Sequence, residues 1–302
     1  MKPCILVTMD YPPERGGVAR YLGNLVRASA GGIKEVLVPL EHETNGPGLV
    51  RSVPFFWPYW PTWLPLVQRF RKEAGSHFFI SHVLPVGTAA FFASLTTNLE
   101  YSILLHGLDL RLATRTAWKR WLLGRVLSRA KAVFVNSEFV KREVVASYDR
   151  LRPVVLTPGV EPSSFLSPLE ARQKVGVAPE AVHLLAVTRL VPRKGIDCLL
   201  EALNLLPEQV VLTIVGSGSD EPRLRALAAP LGSRVRFETN ATDEERNLWY
   251  AAADIFVLPT RDEGTDVEGF GIVFLEAAQA GLPVVAGMGG GVEEAVLDGQ
   301  TG

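Results

Sequence analysis

The sequence predicts an α/β protein made of two doubly wound domains with parallel sheets, and three observations predict it. Short apolar runs bounded by Gly, Pro and polar residues alternate with longer segments of helical period along nearly the whole chain. The length, 302 residues, is generous for one such domain and comfortable for two, each burying its own core. The charge also changes sign part-way: residues 1–159 carry 20 Lys and Arg against 11 Asp and Glu, while residues 160–302 carry 11 against 21, so a net charge of -1 hides two opposed halves. That change falls at Pro158-Gly159-Val160-Glu161-Pro162, a stretch that reads as a hinge and places the domains at 1–159 and 160–302.

Composition narrows the function classes. Hydrophobic content of 47% and charged content of 21% belong to a globular chain rather than a disordered one. The opening apolar run, Cys4 to Met9, is broken by Asp10 and Pro12 and is too short for a signal core, and no apolar run approaches transmembrane length. The two cysteines, Cys4 and Cys198, lie in separate apolar segments, which argues against a disulfide framework or a cysteine-based zinc site. A reducing, cytoplasmic compartment is expected. The basic first half fits an anionic membrane or a phosphorylated acceptor, or simply a solvated face. No zinc-ligand spacing, RNA-recognition motif or helix-turn-helix pattern supports nucleic acid.

In the first half, Cys4 to Thr8 reads as a buried strand, followed by the loop MDYPPERGG and a helix from about Val18 to Ala28. Gly16-Gly17 falls where that loop meets the helix N-terminus, a place suited to an anion or to a tight turn without ligand. The spacing is not G-x-G-x-x-G, which counts against a dinucleotide enzyme such as a dehydrogenase or epimerase. The segment VPFFWPYWPTWLPLVQRFR resists regular strand or early helix; Trp57, Trp60 and Trp63 beside Arg69, Arg71 and Lys72 either cover the sheet edge or lodge at a lipid headgroup boundary. His77 to Ser81 reads as a strand, Val86 to Leu95 as a helix, and Tyr101 to Leu105 as a strand that delivers His106-Gly107-Leu108-Asp109. The carboxyl ends of such strands face the ligand crevice, so His106 stands where chemistry belongs. Thr116 to Arg129 reads as an amphipathic helix with Trp118, Leu122, Leu123, Val126 and Leu127 opposite Lys119, Arg120, Arg125 and Arg129: a core-facing helix, or a membrane contact. Ala132 to Asn136 and Val154 to Thr157 add strands around a helix from Glu138 to Ser147. His42, His77, His82 and His183 share no metal-ligand spacing and are read as structural, and no metal is expected.

In the second half, His183 to Thr188 and Val210 to Val215 read as strands, with a helix from Ile196 to Leu206 between them. The loop RLVPRKG brings Arg189 and Lys194 to a helix N-terminus, a trio suited to a diphosphate, while Arg193 reads as a neighbour free to face solvent. Gly216-Ser217-Gly218 follows the next strand. Asp254 to Leu258 is a strand ended by Pro259; after an acidic, glycine-containing loop a helix opens at Gly271 and stops at Gly281-Leu282-Pro283. Gly269 and Gly271 let a ligand approach the backbone. Glu268 and Glu276 cannot hold a phosphate but can accept both hydroxyls of a sugar diol, or can be a surface pair flanking an ordinary turn.

Glu268-Gly-Phe-Gly-Ile-Val-Phe-Leu-Glu276 resembles the E-x7-E signature of the retaining glycosyltransferases of family 4, and TDVEGFGIVFLEAAQAG is closest to their phosphatidylinositol-mannosyltransferase-like branch. PPERGGVARY, H-G-x-D at His106, R-L-x-x-x-K-G at Arg189 and the turn at Gly216 resemble further motifs of that family in the same order. The hinge resembles its N-G-V-D crossing, with Pro158 for Asn and Glu161 for Asp. The resemblance implies the GT-B fold, two Rossmann-like doubly wound domains facing across a cleft, with the acceptor on the first and a nucleotide sugar on the second. It implies that Gly16 and Gly17 lie against the donor phosphates and that His106 reaches the donor sugar with Asp109 orienting its loop. Arg189 and Lys194 would then stabilise the leaving diphosphate, Gly216 and Gly218 form the nucleotide-side turn, Glu268 with Phe270, Gly271 and Ile272 meet the sugar, and Glu276 holds the ribose.

The implied reaction is metal-independent, cofactor-free transfer of a hexose, mannose favoured, with retention of configuration. The implied donor is a GDP-sugar, with a UDP-sugar second, and the implied acceptor a glycolipid or polysaccharide of the cell envelope, reached by peripheral association with the inner face of the membrane. A nucleotide-sugar-binding scaffold that has lost catalysis is the alternative. The sequence stops at Asp298 to Gly302, where the resembled family continues through a further strand and helices, so the second domain is expected to be incomplete and to expose apolar surface.

Overall fold

Strand pairing is parallel throughout both sheets, the arrangement that alternating strands and helices dictate. The structure, a computed structural model, describes residues 2–14, 16–42, 49–264 and 266–302. The chain divides into a unit of residues 1–159 and a unit of residues 160–302.

In the first unit the strands are β1 (Cys4–Val7), β2 (Ile33–Pro39), β3 (Val50–Val53), β4 (His77–Ser81), β5 (Glu100–Leu105), β6 (Ala132–Val135) and β7 (Val154–Val155), in the sheet order β3-β2-β1-β4-β5-β6-β7. The helices are α1 (Gly17–Ala28), α2 (Leu64–Lys72), α3 (Thr88–Ser94), α4 (Leu108–Thr114), α5 (Ala117–Arg129) and α6 (Glu138–Ser147). Alternation along β1 sorts its side chains between faces: Leu6 packs with Tyr21, Leu22 and Val26 of α1, while Ile5 and Val7 join Phe70 of α2, Ala90 of α3 and Val126 of α5. The α6 start is fixed by Ser137, whose Oγ accepts from Val140 N at 3.2 Å.

The second unit contains α7 (Pro168–Val175), β8 (Val182–Val187), α8 (Ile196–Leu203), β9 (Val210–Val215), α9 (Glu221–Ala228), β10 (Val235–Glu238), α10 (Asp243–Ala252), β11 (Ile255–Leu258), α11 (Ile272–Gln279), β12 (Val284–Ala286) and α12 (Val292–Ala295). Its sheet order is β10-β9-β8-β11-β12. Capping boxes start α7, at Ser167 with Glu170, and α10, at Thr242 with Glu245. In each unit the order reverses once, between β1 and β4 and between β8 and β11. Such a switch point parts the crossover helices and opens a crevice at the strands' carboxyl ends.

Several expectations are corrected. A π-helical turn, Val83–Gly87, precedes α3 where one helix was expected from Val86. The segment after β3 becomes helical only at Leu64, with Pro65 in the first turn, which agrees with the expected resistance to an early helix. Trp63 stacks on Phe92 at 4.8 Å, so the packing reading holds for it, but Trp60 is 88% exposed and does not cover the sheet edge. On α5, Leu123, Val126 and Leu127 face the core, whereas Trp118, expected beside them, lies on the solvent side with Trp121. Of the quoted motif segments, Arg15 and Thr265 lie outside the described residues.

Candidate active site

At the switch point of the second unit, the loop after β8 is pressed against the backbone that follows β11. Gly195 has φ +67°, and a Cβ there would lie 2.0 Å from the Pro259 carbonyl oxygen. Gly216, at φ +132°, is pinned in the same way against the Thr188 carbonyl, at 1.9 Å. Only glycine fits either place, so the two loops and the turn after β9 interlock. Arg261 N donates to Arg193 O at 2.8 Å, which directs the Arg193 and Lys194 side chains toward residues 266–268.

There a buried charge network forms. Lys194 Nζ donates to Glu268 Oε2, Arg193 Nη1 donates to the same oxygen at 3.0 Å, and Arg193 Nε lies 2.8 Å from Asp266 Oδ1. Burial by itself would raise the Glu268 pKa, but the charges of Lys194 and Arg193 and their hydrogen bonds outweigh it and bring the carboxyl down to about 2. Burial pushes the Lys194 ammonium down against the pull of Glu268. Arg193, which the sequence left as free to point to solvent as to the site, is 6% exposed; sequence reasoning gave it no role, because adjacency to Lys194 says nothing about which carboxylates the fold brings over it. Arg189 stands exposed just past β8.

Gly271 caps α11 in the left-handed region, leaving the first amides of α11 unbonded within the helix. The Phe270 and Ile272 side chains are buried, so these residues offer backbone rather than side chain at the site. Glu276 is buried within α11, where its Oε2 accepts from Tyr250 Oη at 2.9 Å and lies 3.9 Å from Arg246 Nε. The surface-pair reading of Glu268 and Glu276 is therefore wrong for both. Gly218 packs on the Leu190 carbonyl, where a Cβ would come within 2.2 Å.

At the switch point of the first unit, His106 follows β5. Its Nε2 lies 2.8 Å from Ser81 Oγ, and the edge of the Tyr21 ring meets it at 5.8 Å. Burial, aided by the neighbouring His82, pushes the imidazole down to about 3, so it is neutral near pH 7. Asn136 Nδ2 reaches the His106 carbonyl at 3.4 Å. Asp109 Oδ1 accepts from His106 N at 3.0 Å and Leu110 N at 2.9 Å, which ties it to the loop after β5, and burial raises its pKa. Gly16 is exposed ahead of α1, which Gly17 opens.

His82, read as structural, has a partner that the sequence did not name. It has φ 80°, rare for a residue with a Cβ, and its Nε2 pairs with Asp10 Oδ2 at 3.2 Å across the switch point. Burial works against its charge, but the Asp10 hydrogen bond and the Asp10 and Asp109 charges prevail and raise its pKa. Its place directly after a strand was the available signal. Among the described residues no group of three His, Cys, Asp or Glu is placed to hold a metal ion.

The family described as "Glycosyl transferase 4-like domain" matches residues 16–159, and "Glycosyl transferases group 1" matches residues 181–302. Over 338 aligned residues the chain is 32% identical to the GDP-mannose-dependent alpha-(1-6)-phosphatidylinositol monomannoside mannosyltransferase of Mycolicibacterium smegmatis, covering 99% of this chain and 84% of the relative. The chain belongs to the group 1 glycosyltransferases. This glycosyltransferase is also 37% identical, over 59% of its length and 42% of the relative, to a D-inositol 3-phosphate glycosyltransferase of Geodermatophilus obscurus. Among solved structures, Anabaena Alr3699/HepE in complex with UDP and glucose superposes with a TM-score of 0.78 at 21% identity, covering 99% of this chain and 84% of that one. Sucrose-phosphate synthase from Thermosynechococcus elongatus follows at 0.76 and 21%, covering 97% and 83%. The fold of the glycosyltransferase is GT-B.

Proposed function

We propose that this glycosyltransferase transfers a hexose, mannose first, from a nucleoside-diphosphate sugar to a glycolipid or saccharide acceptor, with retention of configuration and no step assigned to a metal ion. One observation carries the reading: cations, a buried carboxylate and free helix amides meet at the β8/β11 switch point of the second unit, the three features a sugar nucleotide requires. Arg189 and Lys194 meet the diphosphate as its charge grows. Glu276, held by Tyr250, accepts the ribose hydroxyls, and Gly216 and Gly218 keep the nucleotide side open to backbone approach. Glu268 and the amides of Phe270, Gly271 and Ile272 meet the sugar. In the first unit, Gly16 and Gly17 are assigned to the phosphates and the neutral His106 to the sugar, with Asp109 fixing the His106 loop.

In the reaction the bond from the anomeric carbon to the leaving phosphate oxygen breaks, and the acceptor hydroxyl oxygen bonds that carbon on the same face. The hydroxyl proton passes to the leaving phosphate. Both cations act where charge develops, so they serve turnover more than binding. GDP-mannose is favoured as donor because the relatives that align over nearly the whole chain are GDP-mannose-dependent, with UDP-sugars second. Those relatives act on phosphatidylinositol mannosides, which supports a lipid-linked acceptor, a cytoplasmic site of action and peripheral contact with the membrane through the basic first unit; no helix among the described residues is long and apolar enough to cross one.

The test is a thermal-shift panel of GDP, UDP, ADP and their sugar conjugates without added metal. GDP and GDP-mannose should raise the melting temperature most, since a ligand at about 100 times its Kd adds about 2.7 kcal/mol to stability. A rise with UDP alone would overturn the choice of base, and no rise with any nucleotide would overturn the donor reading.

A further inference from the structure

The functional reading leaves α5 unexplained. Between Asp109 and Glu138 the chain has no acidic residue, yet it carries Arg111, Arg115, Lys119, Arg120, Arg125, Arg129 and Lys131. Arg111 pairs with Glu143 and Lys131 with Glu100. Arg129 is spent on the Ser94 carbonyl. Arg115, Lys119, Arg120 and Arg125 have no carboxylate partner among the described residues. Beside them Trp118 is 62% exposed and Trp121 66%, while the opposite face of the helix, Leu123, Val126 and Leu127, is fully used by the core. Two open indoles cost solvation without serving the fold.

The same face has a hollow of about 410 Å³ lined by Arg120, Trp121, Gly124, Arg125, Ser128 and Tyr148. Gly124 makes room for it: a Cβ there would lie 2.9 Å from the Tyr148 ring, and Tyr148 Oη donates to the Arg120 carbonyl at 2.8 Å. The hollow therefore has an aromatic wall, a hydroxyl at Ser128 and two guanidinium groups without a carboxylate partner, Arg120 giving one N–H to the Thr114 carbonyl at 3.3 Å; this is the chemistry of an anionic headgroup site beside a hydrocarbon boundary. Trp and Arg side by side favour the depth where headgroups meet acyl chains.

We propose that the exposed face of α5 is the surface by which this protein docks on a bilayer containing anionic phospholipid, with Arg120 and Arg125 taking a lipid phosphate in the hollow and Trp118 and Trp121 entering the interface. The proposal gives the membrane contact of the functional reading a place and a lipid chemistry, but it rests on the surface alone and not on donor binding or catalysis. Lys119, whose Nζ lies 5.7 Å from the centre of the Trp118 ring, and Arg115 add long-range attraction.

Co-sedimentation with phosphatidylcholine vesicles, with and without phosphatidylglycerol, tests it with no nucleotide present. Wild-type protein should pellet with the mixed vesicles only, and less so as salt rises. R120E/R125E should lower partitioning by far more than the roughly fivefold expected for loss of one cation at an anionic surface. W118S/W121S, which keeps every charge, should bind weakly at all salt concentrations. All four side chains are exposed, so circular dichroism and melting temperature should match wild type, and the nucleotide thermal shift should be unchanged. W57S/W60S, in the other exposed aromatic stretch, should bind as wild type does. Wild-type protein left in the supernatant would overturn the proposal, as would undiminished binding by R120E/R125E, or binding lost only in W57S/W60S. Self-association abolished by W118S/W121S would assign the face to a second copy of the chain instead.

Discussion

Replacing Arg193 by Met isolates the buried network at the centre of the second unit. The side chain keeps its apolar bulk but loses one of the two cations on Glu268 and the partner of Asp266. The drop of the Glu268 pKa from 4.5 to about 2 corresponds to about 3 kcal/mol of preferential binding of the ionised form. Lys194 and Arg193 share that effect, and Asp266 can rehydrate, so losing Arg193 should cost about 2 kcal/mol, below the usual cost of breaking a buried pair outright. For a unit of this size that is a fall of roughly 4–8 °C in the melting temperature at pH 7.

The sign of the pH dependence follows from a depressed carboxylate: its contribution is fully present above the unfolded value and lost as pH falls through the folded value. The gap between wild type and R193M should thus hold above pH 4.5 and narrow as pH falls toward about 2. Differential scanning calorimetry of both proteins across this range is the assay, with R193K expected between them. An R193M melting temperature within about 1 °C of wild type, or a gap that does not narrow in acid, would refute a charge-coupled network at this place.

Other outcomes follow from the same geometry. R189A should lose turnover with little change in melting temperature, because Arg189 is exposed and makes no ion pair among the described residues; steady-state kinetics with GDP-mannose checks this. Y250F leaves one oxygen of Glu276 without its hydroxyl donor and should weaken GDP binding roughly fivefold, the worth of about 1 kcal/mol, while leaving binding of 2′,3′-dideoxy-GDP unchanged in calorimetric titration. H106Q should gain relative stability as pH falls from 6.5 toward about 3, since a His held neutral in the fold is destabilising wherever the unfolded chain takes up its proton. G195A places a Cβ onto the Pro259 carbonyl and should abolish nucleotide-induced stabilisation even where the protein still folds.

Much of the candidate site was legible in one dimension because most of its residues lie in loops directly after strands. A strand needs a run of apolar residues, a Gly or Pro ends it, and the polar residues next in line are held at the sheet's carboxyl edge; His106, Arg189 and Lys194 are proposed on that ground, and Glu268 on its place just ahead of a helix start. The four strands absent from the sequence reading have weak local signals, Val235–Glu238 among them with Arg236 and Glu238 in four residues. Ile33–Pro39 carries Lys34 and Glu35 in its first turn of pleat, Val50–Val53 contains Arg51, and Val284–Ala286 is three residues long, so each is a strand because a neighbour pairs with it.

Pairing across distance is what the sequence by itself could not give. Its periodicity and punctuation determined two parallel α/β units, their boundary, and the loops that carry charge. Only the tertiary structure decided which charges meet: that Arg193 turns inward onto Glu268 and Asp266, that Asp10 reaches His82 over 72 residues, that Tyr250 backs Glu276, and that Trp118 faces water. The physical reason is that burial and electrostatic partnership depend on three-dimensional proximity, which strand order and crossover packing set, whereas a local pattern fixes only which residues leave the core and not what awaits them there.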